Sequence, residues 1–306
     1  MMLEIITHAS FERHPVPMGH PERPDRIRTV WQALDDHFAD LVRHEAPRAT
    51  ADHVALVHGP DYYDFIASHE ADDGHLRSID GDTHMGSGSL EAGLRAAGGA
   101  VMGVDRVMRG EAERVFLAAR PPGHHAEPDT AMGFCLFSSA AIAAEHARQA
   151  HGLTRVAVVD FDVHHGNGTQ AAFWNDGDLL FASSHQMPLF PGTGSMTETG
   201  CGNIFNAPLR AGTDGATVVS IWQDHLLPRI RDAKPEMIII SAGFDAHARD
   251  PLASIEMQAE DFGRLTSLIR NLAEEVAEGR ILSLLEGGYD LEGLRSSLVA
   301  HLEALR

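Results

Sequence analysis

The chain has 306 residues, which is enough to bury a large core, and it contains no low-complexity tract or linker, so we expect a single domain over residues 1–306. It carries 44 acidic against 24 basic side chains, and the resulting formal net charge of -20 disfavours nucleic acid as a partner and favours cationic small molecules or basic peptides. Because it has only two cysteines, Cys135 and Cys201, no recognisable secretory signal and no apolar run as long as a membrane span, we expect a cytoplasmic protein without a membrane partner.

In chain order, short apolar runs alternate with helical segments. Runs of four to six apolar residues are too short for core helices, so they predict strands buried on both faces. These runs are VFLAA from Val115, VAVV from Val156, LLFAS from Leu179, MIII from Met237 and ILSLL from Ile281. Helices are expected over residues 137–150, which are alanine-rich, and over 256–279, where apolar side chains recur at helical spacing. The alternation predicts an α/β fold with a mostly parallel central sheet covered by helices on both faces.

Polar, titratable side chains follow four of these strands. The segments after the strands are RPPGHHAEP, DFDVHHGNG, SAGFDAHARDP and EGGYD. Parallel strands bring their carboxyl ends to one edge of a sheet, where ligands bind. The side chains expected there are His124, His125, Asp160, Asp162, His164, His165, Asp245, Glu286 and Tyr289. A single Asp or His after a strand is more often a turn former or a helix cap, but four such strand ends together indicate a functional site.

The DFDVHH segment predicts a metal site. Side chains alternate along a strand, so Asp160, Asp162 and His164 would point the same way and would need a cation or a proton network to satisfy them. Asp245, at another strand end, is the natural third protein ligand beside Asp162 and His164, which would leave one coordination position for water. The residues alone leave three rival ligands open, namely His165, His247 and Asp250. One imidazole and two carboxylates would accept zinc, and iron(II) or cobalt as well.

The tandem histidines in RPPGHHAEP predict acid–base chemistry beside the metal. An imidazole that titrates near neutrality can take a proton from an attacking water and return it to a leaving amine, so His124 and His125 are candidate catalytic residues. Each ring needs an acceptor that orients it, and Asp160 and Asn167 are residues of suitable type. Tyr289 follows two glycines and could donate a hydrogen bond to a developing oxyanion.

These segments resemble those of a known family. RPPGHHAE, GFC, DFDVHHGNGTQ, FPGTG, GFDAH with DP, and EGGYD occur in the order and approximate spacing of the histone deacetylase superfamily. That superfamily includes acetylpolyamine amidohydrolases and bacterial deacetylase-like amidohydrolases, and the resemblance extends from GHPERPDRI to the GGY turn. Asn167 and the ETG segment at Glu198 resemble the class II side of the family. The resemblance implies a three-layer α/β/α sandwich of the arginase/deacetylase type.

The resemblance also implies roles for individual residues. Asp162, His164 and Asp245 match zinc ligands, His125 matches the general base and acid with His124 as its electrostatic partner, and Tyr289 matches the residue that polarises the substrate carbonyl. A structural K⁺ or Na⁺ site is implied at Asp160, Asp162, His164, Ser183 and Ser184, mostly through backbone carbonyls. The implied substrate tunnel contains Gly133, Phe134, Phe190 and Leu252. Asp80 or Asp82 is the best match for a rim residue that binds the substrate backbone.

The implied activity is zinc-dependent removal of acetyl or other short acyl groups from the ε-amino group of lysine, in proteins or small molecules. Acetylpolyamine hydrolysis is the alternative, disfavoured because Leu252 follows DP where a polyamine-selective relative would be expected to have a carboxylate. A dinuclear manganese ureohydrolase or a non-catalytic metal-binding module is less expected. The partner is thus an acyl-lysine peptide or a small acetylated amine. A homo-oligomer is compatible with the sequence, and the loops around Met187 and Ser195 are where a neighbouring subunit would reshape the tunnel mouth.

Overall fold

The computed structural model describes residues 3–306. Met1 and Met2 lie outside the described residues, and they are the first two residues of the N-terminal segment that lacks a recognisable secretory signal. The strands are β1 (Leu3–Thr7), β2 (Arg43–Glu45), β3 (Arg77–Ser78), β4 (His84–Met85), β5 (Arg114–Leu117), β6 (Val156–Asp160), β7 (Leu179–Gln186), β8 (Ile204–Leu209), β9 (Met237–Ala242) and β10 (Ile281–Leu285). The helices are α1 (Asp25–His37), α2 (Ala51–Val54), α3 (Tyr62–Ser68), α4 (Ser89–Met108), α5 (Ser139–His151), α6 (Asn167–Phe173), α7 (Gly215–Ile221), α8 (Leu227–Ala233), α9 (Ala259–Val276) and α10 (Leu291–Leu305). A π-helical turn, Trp222–Leu226, joins α7 to α8.

The central sheet has eight strands in the order β2-β1-β5-β10-β9-β6-β7-β8, and every neighbouring pair is parallel. The strands predicted from the sequence, β5, β10, β9, β6 and β7, form the middle of the sheet, and all of their residues are buried. The predicted parallel sheet is therefore confirmed. Because the strands are parallel, crossover segments must connect them, as α5 does between β5 and β6.

Helices cover both faces of the sheet. Adjacent residues of β10 show this, because their side chains point to opposite faces. Leu282 faces α4, where a Cβ built at Gly103 would lie 2.5 Å from Leu282 Cδ1, so a larger residue there would require the leucine side chain to move. Ser283 faces α10, where its Oγ lies 2.9 Å from His301 Nε2. Helices α4 and α5 pack together on one face and α1, α9 and α10 pack on the other, which gives the three-layer α/β/α sandwich.

The predicted helices differ from the observed ones mainly at their ends. The helix expected over 137–150 is α5, which begins at Ser139 and ends before Gly152, whose left-handed φ of 71° provides the cap. The helix expected over 256–279 is α9, which occupies Ala259–Val276. Within residues 3–306, no helix combines the length and the apolar character needed to cross a membrane.

Candidate active site

The four strand ends that are followed by titratable side chains meet at one edge of the sheet, as the parallel topology requires. The loops after β5, β6, β9 and β10 bring His125, Asp162, Asp245 and Gly287 into one buried region, where direct contacts link them or their neighbours. The site is thus assembled from segments that are far apart in the chain.

Asp162, His164 and Asp245 form a buried three-residue cluster. One ligand atom from each lies within 4.8 Å of the other two. His164 Nδ1 lies 3.2 Å from Asp162 Oδ1 and 3.0 Å from Asp245 Oδ2. The Gly287 amide donates to Asp162 Oδ2 at 2.8 Å, and a Cβ at Gly287 would lie 2.2 Å from Asp245 Oδ2. Glycine at this position therefore lets the β10 loop fit closely against both carboxylates.

The donor chemistry of this cluster fits a divalent cation. Burial, together with the negative charge of Asp162, raises the pKa of Asp245 to about 7. Burial opposes protonation of His164, but its bonds to Asp162 and Asp245 raise its pKa to about 10. Two buried carboxylates facing one imidazole nitrogen need a compensating positive charge, which a proton or a metal ion can supply. Two oxygen donors and one nitrogen donor suit zinc, iron(II) or cobalt.

Two of the rival ligands have other partners. His165 Nδ1 lies 2.8 Å from Thr193 Oγ1 and its Nε2 lies 3.0 Å from Gln170 Oε1, so both ring nitrogens are engaged away from the cluster. His247 Nδ1 accepts the amide hydrogen of Arg249 at 3.1 Å. Among the described residues, the group at this edge that could hold a metal contains neither histidine.

His124 is fixed by buried carboxylates. Its Nδ1 lies 3.0 Å from Asp160 Oδ2, and its Nε2 lies 3.8 Å from Asp162 Oδ1. The Glu286 carboxylate accepts the Gly123 and His124 amide hydrogens at 2.7 and 3.2 Å, which holds the backbone of the histidine pair. Burial disfavours the charged ring, but Asp162 and Asp160 raise the pKa of His124 well above its ordinary value. This histidine is therefore poised to remain positively charged.

His125 has a different environment, which defines its tautomer. Its Nδ1 lies 2.8 Å from Asn167 Oδ1, and Asn167 Nδ2 donates to Glu127 Oε1 at 2.7 Å. A carboxylate can only accept, so the Asn167 amide must present its oxygen to His125, and the ring must carry its proton on Nδ1. Burial and the charges of His124 and His164 lower the pKa of His125 well below its ordinary value. Its Nε2 is thus a neutral acceptor, which is the form a general base requires.

Tyr289 is anchored on two sides. Its amide donates to Asp250 Oδ2 at 2.7 Å. Asp250, the third rival metal ligand, therefore holds the Tyr289 backbone and is not part of the three-residue cluster. The Arg26 guanidinium lies 4.9 Å from the centroid of the Tyr289 ring and donates to the Gly288 and Glu286 carbonyls at 2.6 and 2.5 Å. Burial raises the pKa of the Tyr289 phenol well above its ordinary value, so the hydroxyl keeps its proton as a hydrogen-bond donor.

These groups adjoin a cavity of about 250 Å³. The cavity is lined by Pro21, Asp82, His125, Gly133, Phe134, His164, Leu189, Phe190, Leu252 and Tyr289. All four residues expected in a tunnel are therefore in its wall. The Phe134 ring stands edge-on to Tyr289 at 5.9 Å, and the Phe190 ring stands edge-on to His125 at 5.0 Å.

Of the two rim candidates, only Asp82 lines the cavity. Asp80 instead accepts the amide hydrogens of Asp82 and Thr83 at 3.0 and 2.6 Å, which shapes the loop. Burial and the nearby Asp80 raise the pKa of Asp82. Of the serines expected at a monovalent cation site, Ser183 is paired with Asp160 in the sheet. Its Oγ lies 2.9 Å from His185 Nδ1, and Ser184 Oγ accepts from Trp222 Nε1 at 2.8 Å, so both hydroxyls have protein partners.

Several supporting residues were not assigned roles from the sequence. Arg26 and Pro21 lie in the GHPERPDRI segment and Glu127 lies in RPPGHHAEP, so the same motifs contained them. Their functions depend on partners far along the chain, such as Gly288 for Arg26 and Asn167 for Glu127. Only the folded structure brings these partners together.

Known proteins resemble this chain in both sequence and fold. A profile of the histone deacetylase domain matches residues 20–305. The chain is 39% identical to the histone deacetylase-like amidohydrolase of Pseudomonas aeruginosa, over 90% of this chain and 74% of that protein. It is 38% identical to the chloroplastic histone deacetylase 14 of Arabidopsis thaliana, over 94% of this chain and 73% of that protein, and 36% identical to a probable deacetylase of Archaeoglobus fulgidus, over 96% and 83%. The crystal structure of the HDA15 HD domain superimposes with a TM-score of 0.93 at 32% identity, over 99% of this chain and 89% of that one. On this agreement of sequence and fold, the chain belongs to the histone deacetylase family.

Proposed function

We propose that the chain, acting as one catalytic domain over residues 1–306, is a zinc-dependent amidohydrolase that removes acetyl or other short acyl groups from the ε-amino group of lysine. One observation carries the proposal: His125, His164 and Tyr289 line the same cavity, so a base, a metal ligand and a hydrogen-bond donor would face one bound group. The relatives named as deacetylases and as an amidohydrolase support the reaction class. A cytoplasmic location and a homo-oligomer stay predictions.

Asp162, His164 and Asp245 would hold the metal ion. When bound, a divalent cation supplies Lewis acidity that polarises an amide carbonyl and makes water easier to deprotonate. Zinc suits this donor set, and iron(II) or cobalt would fit it too. The convergence of one ligand atom from each residue within 4.8 Å of the other two supports this ligand assignment, and so does the Gly287 amide that holds the Asp162 carboxylate.

His125 would transfer the proton. Its Nε2 is free to accept the proton of the attacking water, because Asn167 holds the only proton of the neutral ring on Nδ1. The imidazolium so formed would then donate from Nε2 to the departing ε-amine. His124, which is held charged by Asp160, would not compete for that proton but would add positive potential beside the developing negative charge.

Tyr289 would stabilise the oxyanion. Its phenol stays protonated, and the contacts of its backbone with Asp250 and of Arg26 with Gly288 hold the loop before the carbonyl arrives. A donor that is positioned in advance costs no reorganisation when charge develops. The rings of Phe134 and Phe190 would flank the methylene groups of the acyl-lysine, with the Gly133 carbonyl facing its amide.

Acetylated polyamine is the second candidate substrate. Asp82 lines the cavity and could bind a distant ammonium, and the net charge of -20 would attract a polycation. Leu252, which lies in the same wall, offers no carboxylate and so favours acyl-lysine.

Turnover of an acetyl-lysine peptide beside N-acetylputrescine and N-acetylspermidine tests this preference. We expect the peptide to be cleaved faster, and Leu252→Glu to shift the ratio toward the polyamines. Leu252→Gln is the matched control, because it changes polarity and shape in a similar way without the charge. Faster cleavage of the polyamines by the unaltered protein would overturn the lysine preference, and failure to cleave any of the amides would overturn the proposed activity.

A further inference from the structure

A second group of metal-ligand side chains lies in the helical layer, outside the active site. Asp105 belongs to α4, and His146 and His151 belong to α5; we call these three residues the α4–α5 cluster. Asp105 Oδ1 lies 2.8 Å from His146 Nε2 and 2.7 Å from His151 Nε2, and one ligand atom from each residue lies within 4.8 Å of the others. Two imidazole nitrogens therefore converge on one carboxylate oxygen.

Both rings donate from Nε2 to Asp105 Oδ1, because a carboxylate can only accept. Within residues 3–306, neither His146 Nδ1 nor His151 Nδ1 has a hydrogen-bond partner, so no contact opposes transfer of each ring proton to Nδ1 when an ion replaces it at Nε2. A ring with its proton on Nδ1 presents the Nε2 lone pair, and Nε2 of neutral imidazole is a common metal donor. Arg109 Nη2 pairs with the other oxygen of Asp105 at 3.1 Å, which leaves Oδ1 directed at the histidines.

We propose that Asp105, His146 and His151 bind a Zn²⁺ ion that joins the end of α4 to the end of α5. Tetrahedral zinc with Zn–N and Zn–O bonds of about 2.0 Å places its ligand atoms about 3.3 Å apart, so Oδ1 and the two nitrogens need to separate by only about half an ångström. The side chains are 24%, 11% and 16% exposed, so the cluster is partly buried yet open to solvent on one side. A water molecule supplies the fourth ligand there.

The surroundings provide access and balance the charge. Asp105 and His53 line a shared surface groove through which the ion enters. Two basic residues of that groove are already neutralised, since Arg48 pairs with Glu91 and Arg106 pairs with Glu4 and Glu111. The positive potential near Oδ1 thus comes chiefly from Arg109, whose side chain is 60% exposed and screened by water.

Zinc stoichiometry of tag-free protein tests the proposal. The protein is stripped with chelator, incubated with excess Zn²⁺, gel-filtered in metal-free buffer and assayed by elemental analysis. We expect two zinc ions per chain for the unaltered protein, one for His151→Ala and two for the control His225→Ala, which removes an exposed histidine elsewhere. One zinc in the unaltered protein, or two in His151→Ala, overturns the proposal.

A second measurement removes the active-site zinc and guards against misfolding. Asp245→Ala should retain one zinc and should gain thermal stability on adding Zn²⁺, whereas Asp245→Ala combined with Asp105→Asn should bind at least about tenfold more weakly. Asparagine keeps an oxygen that accepts from either imidazole, so loss of fold cannot imitate this result. Equal zinc affinity in the two variants overturns the proposal. This comparison is independent of the proposed function, because both variants lack the active-site residue Asp245 and no substrate is used.

Discussion

Glu22 lies at the centre of a buried ion cluster that supports the active-site loop. Arg120 donates to both Glu22 carboxylate oxygens at 2.5 and 2.7 Å, and Arg26 donates to Oε1 at 3.0 Å. All three side chains are fully buried. Arg26 also holds the carbonyls before Tyr289, so Glu22 connects the N-terminal segment to the catalytic loop. We predict that Glu22→Gln destabilises the fold in a pH-dependent way.

The structure gives the size of this effect. Burial opposes ionisation of Glu22, but Arg120 and Arg26 lower its pKa from 4.5 to about 2. The separation of the two pKa values corresponds to about 3 kcal/mol of stability at neutral pH, a size similar to the cost of breaking a buried ion pair. Because the folded-state pKa is the lower one, this stability is present above pH 4.5 and is lost as the pH falls toward 2. Between pH 6 and pH 3 the loss is about 2 kcal/mol.

Urea denaturation at several pH values measures this directly. The free energy of unfolding of Glu22→Gln should lie about 3 kcal/mol below that of the unaltered protein at pH 6, and the gap should narrow to about 1 kcal/mol at pH 3. Glu303→Gln, which alters an exposed carboxylate, is the control and should show little gap at either pH. A gap for Glu22→Gln that stays constant over this range would refute the reasoning.

Three further predictions concern the active site. Tyr289→Phe should lower kcat by about a hundredfold or more with unchanged zinc content, since it removes one oxyanion donor, and activity within a few fold of the original would contradict this role. Asn167→Asp should lower kcat/KM by about tenfold, because a second carboxylate would face Glu127 beside His125, and adding Glu127→Gln should recover most of the loss. Gly287→Ala should weaken zinc affinity at least about tenfold, measured by competition with a chelating dye, because its methyl group would collide with the cluster carboxylates; unchanged affinity would show that the loop can move aside.

The central strands could be predicted from the sequence, but the outer ones could not. Each central strand is a continuous apolar run, because it is buried on both faces. Strand β1 is interrupted by Glu4, a buried carboxylate that pairs with Arg106 from α4 and lies 3.0 Å from His44 Nε2. Strand β8 lies at the sheet edge, is half-buried and contains Asn206 and Pro208, which break the apolar pattern. Strand β2, at the other edge, consists of Arg-His-Glu and has no apolar signal.

The residues of the candidate site could be predicted to lie together where they are close in sequence. The sequence correctly groups Asp162 and His164, which follow β6 two residues apart. Strand alternation is not the reason, because β6 ends at Asp160, and the Asp160 carboxylate contacts His124 and the Asp162 amide instead of joining the cluster. Tertiary contacts decide the rest. Asn167 meets His125 across 42 positions of sequence, a distance over which no local pattern exists.

The α4–α5 cluster shows the same limit more strongly. His146 and His151 lie five positions apart, a spacing that gives no regular helical face, and α5 ends at His151. Asp105 lies 41 and 46 positions before them. Only the packing of α4 against α5 brings the three side chains together, so sequence reasoning had no signal for this group.

The central claim is that the Asp162–His164–Asp245 cluster holds the metal on which hydrolysis depends. The most direct test is turnover of an acetyl-lysine peptide by chelator-stripped protein, before and after adding Zn²⁺, beside Asp245→Ala treated in the same way. We expect the stripped protein to be inactive, Zn²⁺ to restore the unaltered chain, and the variant to stay inactive. Full activity of the stripped protein, or restoration of Asp245→Ala by Zn²⁺, would contradict the account.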